Sequence, residues 1–338
     1  MRAVRQRRRE AGHAVGEVVA EIDEWGHGPT FPALPSPRRF LTVAEYPISA
    51  DRRAADMRPI RPPEASDSLD GRRFVSNDAQ GQSYDWRRAL GAWWADLQVA
   101  AAFLTRLPIR PREESGMAAL ADAARCFPIV GFGVGLLGGL AYALAIALDL
   151  PPLLAAIIAV AATAAVTGAL HEDGLADTVD GLGGGGDRDR KLAIMRDSRI
   201  GTYGVVALVL ALGARVVALA SFDDNADAIA ALILGQAASR ALVVAVLRRA
   251  PLARSDGLAA SAGRPTQAVM WWALGIGSLI AVVLAGLDGA VAAVVGTAVA
   301  WAVAWLAQRQ IGGVTGDVLG AVQQGSEVAM LLALVALD

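Results

Sequence analysis

Asp173, Asp177 and Asp180 stand at i, i+4 and i+7 in the segment LHEDGLADTVDGLGGGGDRDRKLAIMRDSRIGTYG, residues 170–204. At about 100° per helical residue, the three carboxylates fall within an arc of about 60° on one face. Like charges so placed repel unless a cation holds them, so the spacing predicts a divalent-metal site. Oxygen-only ligands favour Mg²⁺ or Mn²⁺ over zinc. Gly181 and the run Gly183, Gly184, Gly185 and Gly186 leave backbone N–H groups free to cradle an anion; the same run also reads as a flexible connector. Arg196, Ser198 and Arg199 add fork-shaped donors and a hydroxyl suited to phosphate. A metal and cationic clamps are the two halves of phosphoryl-transfer catalysis. His171 adjoins the acids and reads equally as a base, a ligand or a helix-end hydrogen-bonding group.

The elements that hold these groups are membrane spans. From Phe127 onward the chain is mostly Ala, Val, Leu, Ile and Gly, and about 20 such residues cross the hydrocarbon. Six candidates follow: roughly 127–148, 151–170, 203–222, 226–247, 268–287 and 289–308, with a half-length apolar tail near 327–338. The expected fold is all-α, a polytopic membrane helical bundle of about six to seven helices. Arg106, Arg110, Arg112 and Arg125 precede the first span; Arg188, Arg190, Lys191, Arg196 and Arg199 follow the second; Arg248, Arg249, Arg254 and Arg264 follow the fourth. The alternate loops carry no Lys or Arg. The positive-inside rule therefore puts the basic loops, and every reactive motif, on the cytoplasmic face.

Other features bound the reading. Residues 1–92, with stretches such as RPIRPPEASDSLDGRRF, have almost no apolar periodicity and are expected to be a disordered Arg/Pro-rich extension, with the membrane domain over 93–338. No apolar run follows RQRRRE, which speaks against an export signal. Cys126 is the only cysteine, which excludes an internal disulfide and a cysteine zinc cage. Gly131, Gly135 and Gly139 predict close helix packing. Trp93, Trp94, Trp271, Trp272 and Trp305 read as interfacial anchors. Arg215 and Arg240 lie inside apolar spans, where a guanidinium needs a partner; they read as pairing with the acidic cluster, as lining a pocket above it, or as structural ion pairs.

Five ordered blocks carry a resemblance: FLTRLPI (Phe103–Ile109), FPIVG (Phe127–Gly131), His171–Gly204, ARSDGL (Ala253–Leu258) and GGVTGDVLGAVQQGSE (Gly312–Glu327). Over approximately residues 93–338 the chain resembles the cobalamin synthase family, the adenosylcobinamide-GDP ribazoletransferases. Two departures stand out: Glu172 occupies a place where an apolar residue is expected, and residues 1–92 have no counterpart. The resemblance implies a Mg²⁺-dependent enzyme of the inner membrane that takes adenosylcobinamide-GDP and α-ribazole, or its 5′-phosphate, and releases GMP. Asp173, Asp177 and Asp180 would then hold Mg²⁺ on the pyrophosphate, with Arg196 and Arg199 on the leaving phosphate. Asp187, Asp197 and Asp317, with Thr315 beside it, rank next for a second metal or for orienting the hydroxyl. Membrane lipid is the other partner, no nucleic acid is expected, and oligomeric state stays open, a homo-oligomer included. The rivals are a CDP-alcohol phosphotransferase and an ion-coupled transporter.

Overall fold

The computed structural model describes residues 86–111 and 119–338, with side chains from Leu90 onward. Residues 86–92 of the expected extension begin a helix; its other residues, and Arg112, lie outside the described residues. Helices follow one another as α1 (Trp86–Leu104), α2 (Leu120–Ala123), a 3₁₀ turn (Ala124–Cys126), α3 (Phe127–Ala147), α4 (Pro152–Thr167), α5 (Leu170–Gly184), α6 (Arg188–Ile194), α7 (Thr202–Ser221), α8 (Asn225–Arg249), α9 (Leu258–Ala262), α10 (Gln267–Ile311) and α11 (Gly316–Val335). Among the described residues β-pairing is confined to one parallel bridge, Leu252 with Val314.

Five helices are long and apolar enough to cross a membrane, six when the bent pair α4–α5 counts as one span. Within α10 the backbone breaks at Ala285 and Gly286 (φ 54°), and a methyl group at Gly289 would stand 2.1 Å from the Ala281 carbonyl oxygen. The chain therefore doubles back, and α10 is two antiparallel crossings at the positions expected for the fifth and sixth spans. The seventh crossing corrects the sequence reading. It is a full 20-residue helix, α11, rather than a half-length tail. Gln323, Gln324 and Glu327 lowered its apparent apolarity, yet all three are buried in the bundle. With seven crossings, the C-terminus reaches the face of the α7–α8 loop, where Asp223 N–H donates to Asp338 Oδ2 at 3.4 Å.

α8 is the axis of the bundle: 89% of its most apolar window is buried, against 22% for α7 and α10, whose Val209, Leu210, Val283 and Val294 form an apolar exterior. That exterior is the one lipid requires, since the hydrocarbon rewards no polar face. α3 meets α8 through its glycines. A methyl group at Gly131 would stand 2.3 Å from the Gln236 carbonyl oxygen, and one at Gly135 2.6 Å from Ile233 Cα. Here the expected small-residue seam holds two backbones together by close packing.

Inside this apolar shell lies a compact ionic network. Arg215, fully buried on α7, reaches Glu172 of α5 at 3.1 Å, Glu327 of α11 at 3.0 Å and Thr163 of α4 at 3.1 Å. Arg240 on α8 donates to the Gln236 carbonyl at 2.9 Å and to its side chain, and Gln236 donates to Glu327 Oε1 at 2.8 Å. Gln323 and Gln324 complete it, donating to Glu327 and Glu172. Two arginines and two glutamates balance. Arg215 thus pairs with glutamates and Arg240 reaches Glu327 only through Gln236, neither of them joining the aspartate cluster, and Glu172 turns away from the aspartates toward Arg215.

Cysteines placed at Asp187 and Asp223 in a Cys126→Ser background should label from opposite sides of the membrane, and one at Asp338 from the side of Asp223. Equal labelling of Asp187 and Asp338 from one side would remove the seventh crossing.

Candidate active site

The acidic helix α5 starts at a turn that its sequence makes awkward. Gly168 (φ 66°) and Ala169 (φ 56°) are both left-handed, and α5 leaves α4 at 90°. Ala169 carries a Cβ there, which costs roughly 1–2 kcal/mol. Hydrogen bonds from Ala169 N–H to Ala164 O (2.8 Å) and from Asp173 N–H to Ala169 O (2.9 Å) hold the turn. Gly174 then lets α5 lie directly on α11: a methyl group there would stand 2.8 Å from the Asp317 carbonyl oxygen and 3.1 Å from Gly320 Cα. This contact sets Asp173 and Asp317 on the wall of one cavity of about 130 Å³. Asp177, half-buried, lies within electrostatic reach of Asp173, Asp317 and Asp180.

Asp180 has a different task. Its two oxygens accept from the backbone N–H groups of Gly201 (2.7 Å) and Gly204 (2.8 Å), so it ties α5 to the start of α7. Both donors must be glycine, because a Cβ at either would stand within 2.4 Å of a carboxylate oxygen. Among the described residues no three His, Cys, Asp or Glu side chains stand ready as a metal-ligand group. The i, i+4, i+7 arc places three carboxylates on one helix face but cannot show that the third is claimed by a neighbouring loop.

The remaining expected groups separate similarly. Gly183 and Gly184 finish α5, Gly185 packs on Lys191, and Gly186 is open. Asp187 caps α6, accepting from Arg190 N–H at 2.9 Å. Thr315 caps α11, accepting from Val318 N–H at 3.2 Å and donating to Asp317 Oδ2 at 3.1 Å. Arg196 is exposed and bound to both oxygens of Asp256 at 2.8 Å, while Arg199 holds Asp197 at 2.7 Å and Ser198 is exposed. Hydrogen bonds from Arg199 push the Asp197 carboxyl down to about 2, and Asp197 in turn raises the Arg199 guanidinium. Such exposed pairs are weak and can be exchanged for a phosphate.

Two participants were not singled out from the sequence. Arg254 reaches Asp317 at 3.4 Å, is 15% exposed, and leaves Nη1 buried without a partner among the described residues. Asp256, two residues on, holds Arg196. Both lie in ARSDGL, so the block was visible although the roles were not. The bridge at Leu252–Val314, with Ala253 N–H donating to Val314 O at 2.9 Å, fixes that loop beside Asp317. Arg188 joins it to the end of α10, donating to Ile311 O at 2.9 Å and to Ala253 O. Together Arg188, Arg196, Arg254 and Asp256 border an open basin of about 880 Å³.

All five sequence blocks meet at the smaller cavity: Phe103, Phe127, Asp173, Leu258 and Asp317 each come from a different one. A family model described as cobalamin-5-phosphate synthase matches residues 96–335. The chain belongs to that family. Among similar proteins, an adenosylcobinamide-GDP ribazoletransferase of Bradyrhizobium diazoefficiens is 48% identical over 239 residues, 70% of this chain and 92% of that protein. One of Sinorhizobium medicae is 45% identical over 253 residues, 72% and 96% of the two chains. No solved structure matches the chain. Family membership and the helical bundle agree on a multi-pass membrane protein.

Two outcomes follow from this geometry. Asp180→Ala removes two hydrogen bonds to a charged group, each contributing about 1.5–3 kcal/mol; thermal unfolding should show a clear loss of stability, whereas Asp173→Asn should leave the transition close to the parent's. Equal shifts for both would deny Asp180 its tethering role. The depressed Asp197 carboxyl places its stabilising contact above an ordinary carboxylate value of about 3.9, to be lost only as pH falls through about 2. Asp197→Asn should therefore change apparent phosphate affinity by the same factor at pH 6 and pH 9, measured by titration with inorganic pyrophosphate.

Proposed function

We propose that this chain is an adenosylcobinamide-GDP ribazoletransferase. The carrying observation is the convergence of five sequence-distant blocks on one cavity that has carboxylates at its wall and an arginine-bordered basin on the same face. In the proposed reaction a free ribose hydroxyl of α-ribazole, one that its 5′-phosphate also keeps, attacks the phosphorus that carries cobinamide. A new P–O bond forms, the pyrophosphate bridge breaks, GMP leaves with the bridging oxygen, and the hydroxyl proton passes to water or a carboxylate. α-Ribazole 5′-phosphate, through its own free ribose hydroxyl, is the phosphorylated variant of the acceptor.

Arg196, Arg199 and Arg254 are the groups that would bind the pyrophosphate, the first two by exchanging Asp256 and Asp197 for phosphate oxygens. The basin has room for the guanosine nucleotide. Asp173, Asp177 and Asp317 would contribute oxygen donors of the kind that suits Mg²⁺, which is commonly held by one or two carboxylates plus substrate phosphates rather than by an all-protein cage. Such an ion supplies charge neutralisation on the phosphate oxygens. Asp180 supports them from the rear by fixing the 185–201 loop. The basic loops support a cytoplasmic orientation for this face, and the family resemblance an inner-membrane location. A transport reading is disfavoured because Arg215 and Arg240 are enclosed in a buried network with Glu172, Glu327 and Gln236 instead of lining a path.

Purified protein in detergent should convert adenosylcobinamide-GDP and α-ribazole to adenosylcobalamin and GMP, followed by chromatography. EDTA should abolish turnover, and Mg²⁺ or Mn²⁺ should restore it. Asp173→Asn and Asp177→Asn should each lower kcat by about 10²–10³-fold, the usual loss for a group that stabilises developing charge. Absence of product from folded, Mg²⁺-supplied protein would refute the assignment.

A further inference from the structure

The cavity beside Asp173 and Asp317 is not a phosphate pocket. Most of its wall is apolar: Phe103 and Phe127, stacked with ring centroids 6.2 Å apart and planes at 17°, with Leu247 and Ala262 among the others. Its polar lining side chains are His171, Asp173 and Asp317. An apolar chamber with a few polar groups at one side is the common form of a site for a flat ring carrying a polar handle. Cavities near 150 Å³ accept benzene, so about 130 Å³ matches one aromatic ring, leaving the second ring of a fused pair at the mouth. A corrin or a whole nucleotide does not fit.

We infer that this cavity is the subsite for the aromatic base of the acceptor nucleoside, a fused bicyclic ring with an apolar outer edge, and that it places the attached ribose hydroxyl toward Asp173 and Asp317. The inference rests on the proposed function and adds which substrate goes where. α-Ribazole is a nucleoside of a benzimidazole, whose benzenoid half has no hydrogen-bonding atoms. The apolar wall suits that half. Guanine and adenine carry polar edges that this wall would leave unpaired, each a buried group without its hydrogen bond. Among the lining side chains His171 alone can both donate to and accept from a heterocyclic nitrogen. One part of the wall is a short element: α9, five residues long between Gly257 (φ 88°) and Gly263 (φ 75°), contributes Leu258, Ala259 and Ala262. The base subsite and the pyrophosphate basin are then separate surfaces meeting at Asp317, which Arg254 touches from the basin side.

The test uses the full chain in detergent with free benzimidazole as inhibitor. Benzimidazole should raise the apparent KM for α-ribazole while leaving that for adenosylcobinamide-GDP within twofold, and adenine should inhibit at least tenfold more weakly. Ala262→Leu, which fills the chamber, should weaken benzimidazole inhibition and raise the α-ribazole KM at least tenfold, with the KM for adenosylcobinamide-GDP unchanged. Leu247→Ala covers the case in which the filled variant does not fold: the widened wall should improve inhibition by the bulkier 2-naphthol relative to benzimidazole by threefold or more. Competition of benzimidazole with adenosylcobinamide-GDP, or variants whose inhibition matches the parent's, would overturn the subsite. Absence of turnover in the parent would instead overturn the proposed function.

Discussion

A guanidinium buried among seven membrane crossings is the constraint on which this structure depends. Arg215 has no exposed surface, and hydrocarbon surrounds the bundle, so its charge has to be met from within. Glu172 and Glu327 meet it, and Arg240 restores neutrality through Gln236. These contacts draw on α4, α5, α7, α8 and α11 at once. Sliding any of these helices by a turn would strand a charge, so the network fixes their relative heights more sharply than uniform Ala and Val surfaces could.

That fixing has a consequence at the aqueous end. α5 carries Glu172 on its buried side and Asp173 and Asp177 toward the cavity. α11 carries Asp317 at its first turn and Glu327 ten residues on, about 15 Å deeper along the helix. Each acidic helix is therefore held by a glutamate inside and presents aspartate outside. Gly174 against Gly320 removes the side chains that would keep the helices apart. The loops are secured afterwards: Asp180 takes the N–H groups of Gly201 and Gly204, and Arg188 takes the carbonyls of Ile311 and Ala253. Arg196 and Arg199 stay in exposed pairs with Asp256 and Asp197, free to change partner.

Local pattern made much of this legible. The apolar runs located the crossings through 308, although the second, α4, is only 16 residues long and counts as a span only with the bent α5. The seam of Gly131, Gly135 and Gly139 was readable too, because small residues at a four-residue spacing have one common use. α11 was misjudged because its glutamines and glutamate look hydrophilic until Arg215 and Arg240 are set opposite them. Asp180 falls on the same arc as Asp173 and Asp177, and spacing along one helix carries no information about which backbone N–H groups arrive from a distant loop. Arg254 had been counted only as a loop charge; its contact with Asp317 depends on a bridge between residues 62 positions apart, 252 and 314. Glu172, odd by comparison with the family pattern, makes sense only beside Arg215.

The central claim is that buried charge pairing sets the position of the acid-bearing helices, and a double-mutant cycle on Arg215 and Glu172 tests it most directly. Arg215→Leu alone leaves two glutamates facing one arginine and should cost about 3–5 kcal/mol of stability, with turnover falling alongside. Combining it with Glu172→Leu restores neutrality, leaving Arg240 with Glu327. The double variant should recover about 2–3 kcal/mol relative to the sum of the single losses, with turnover recovering in parallel. Additive losses, or full turnover in Arg215→Leu despite its unpaired carboxylates, would contradict the account.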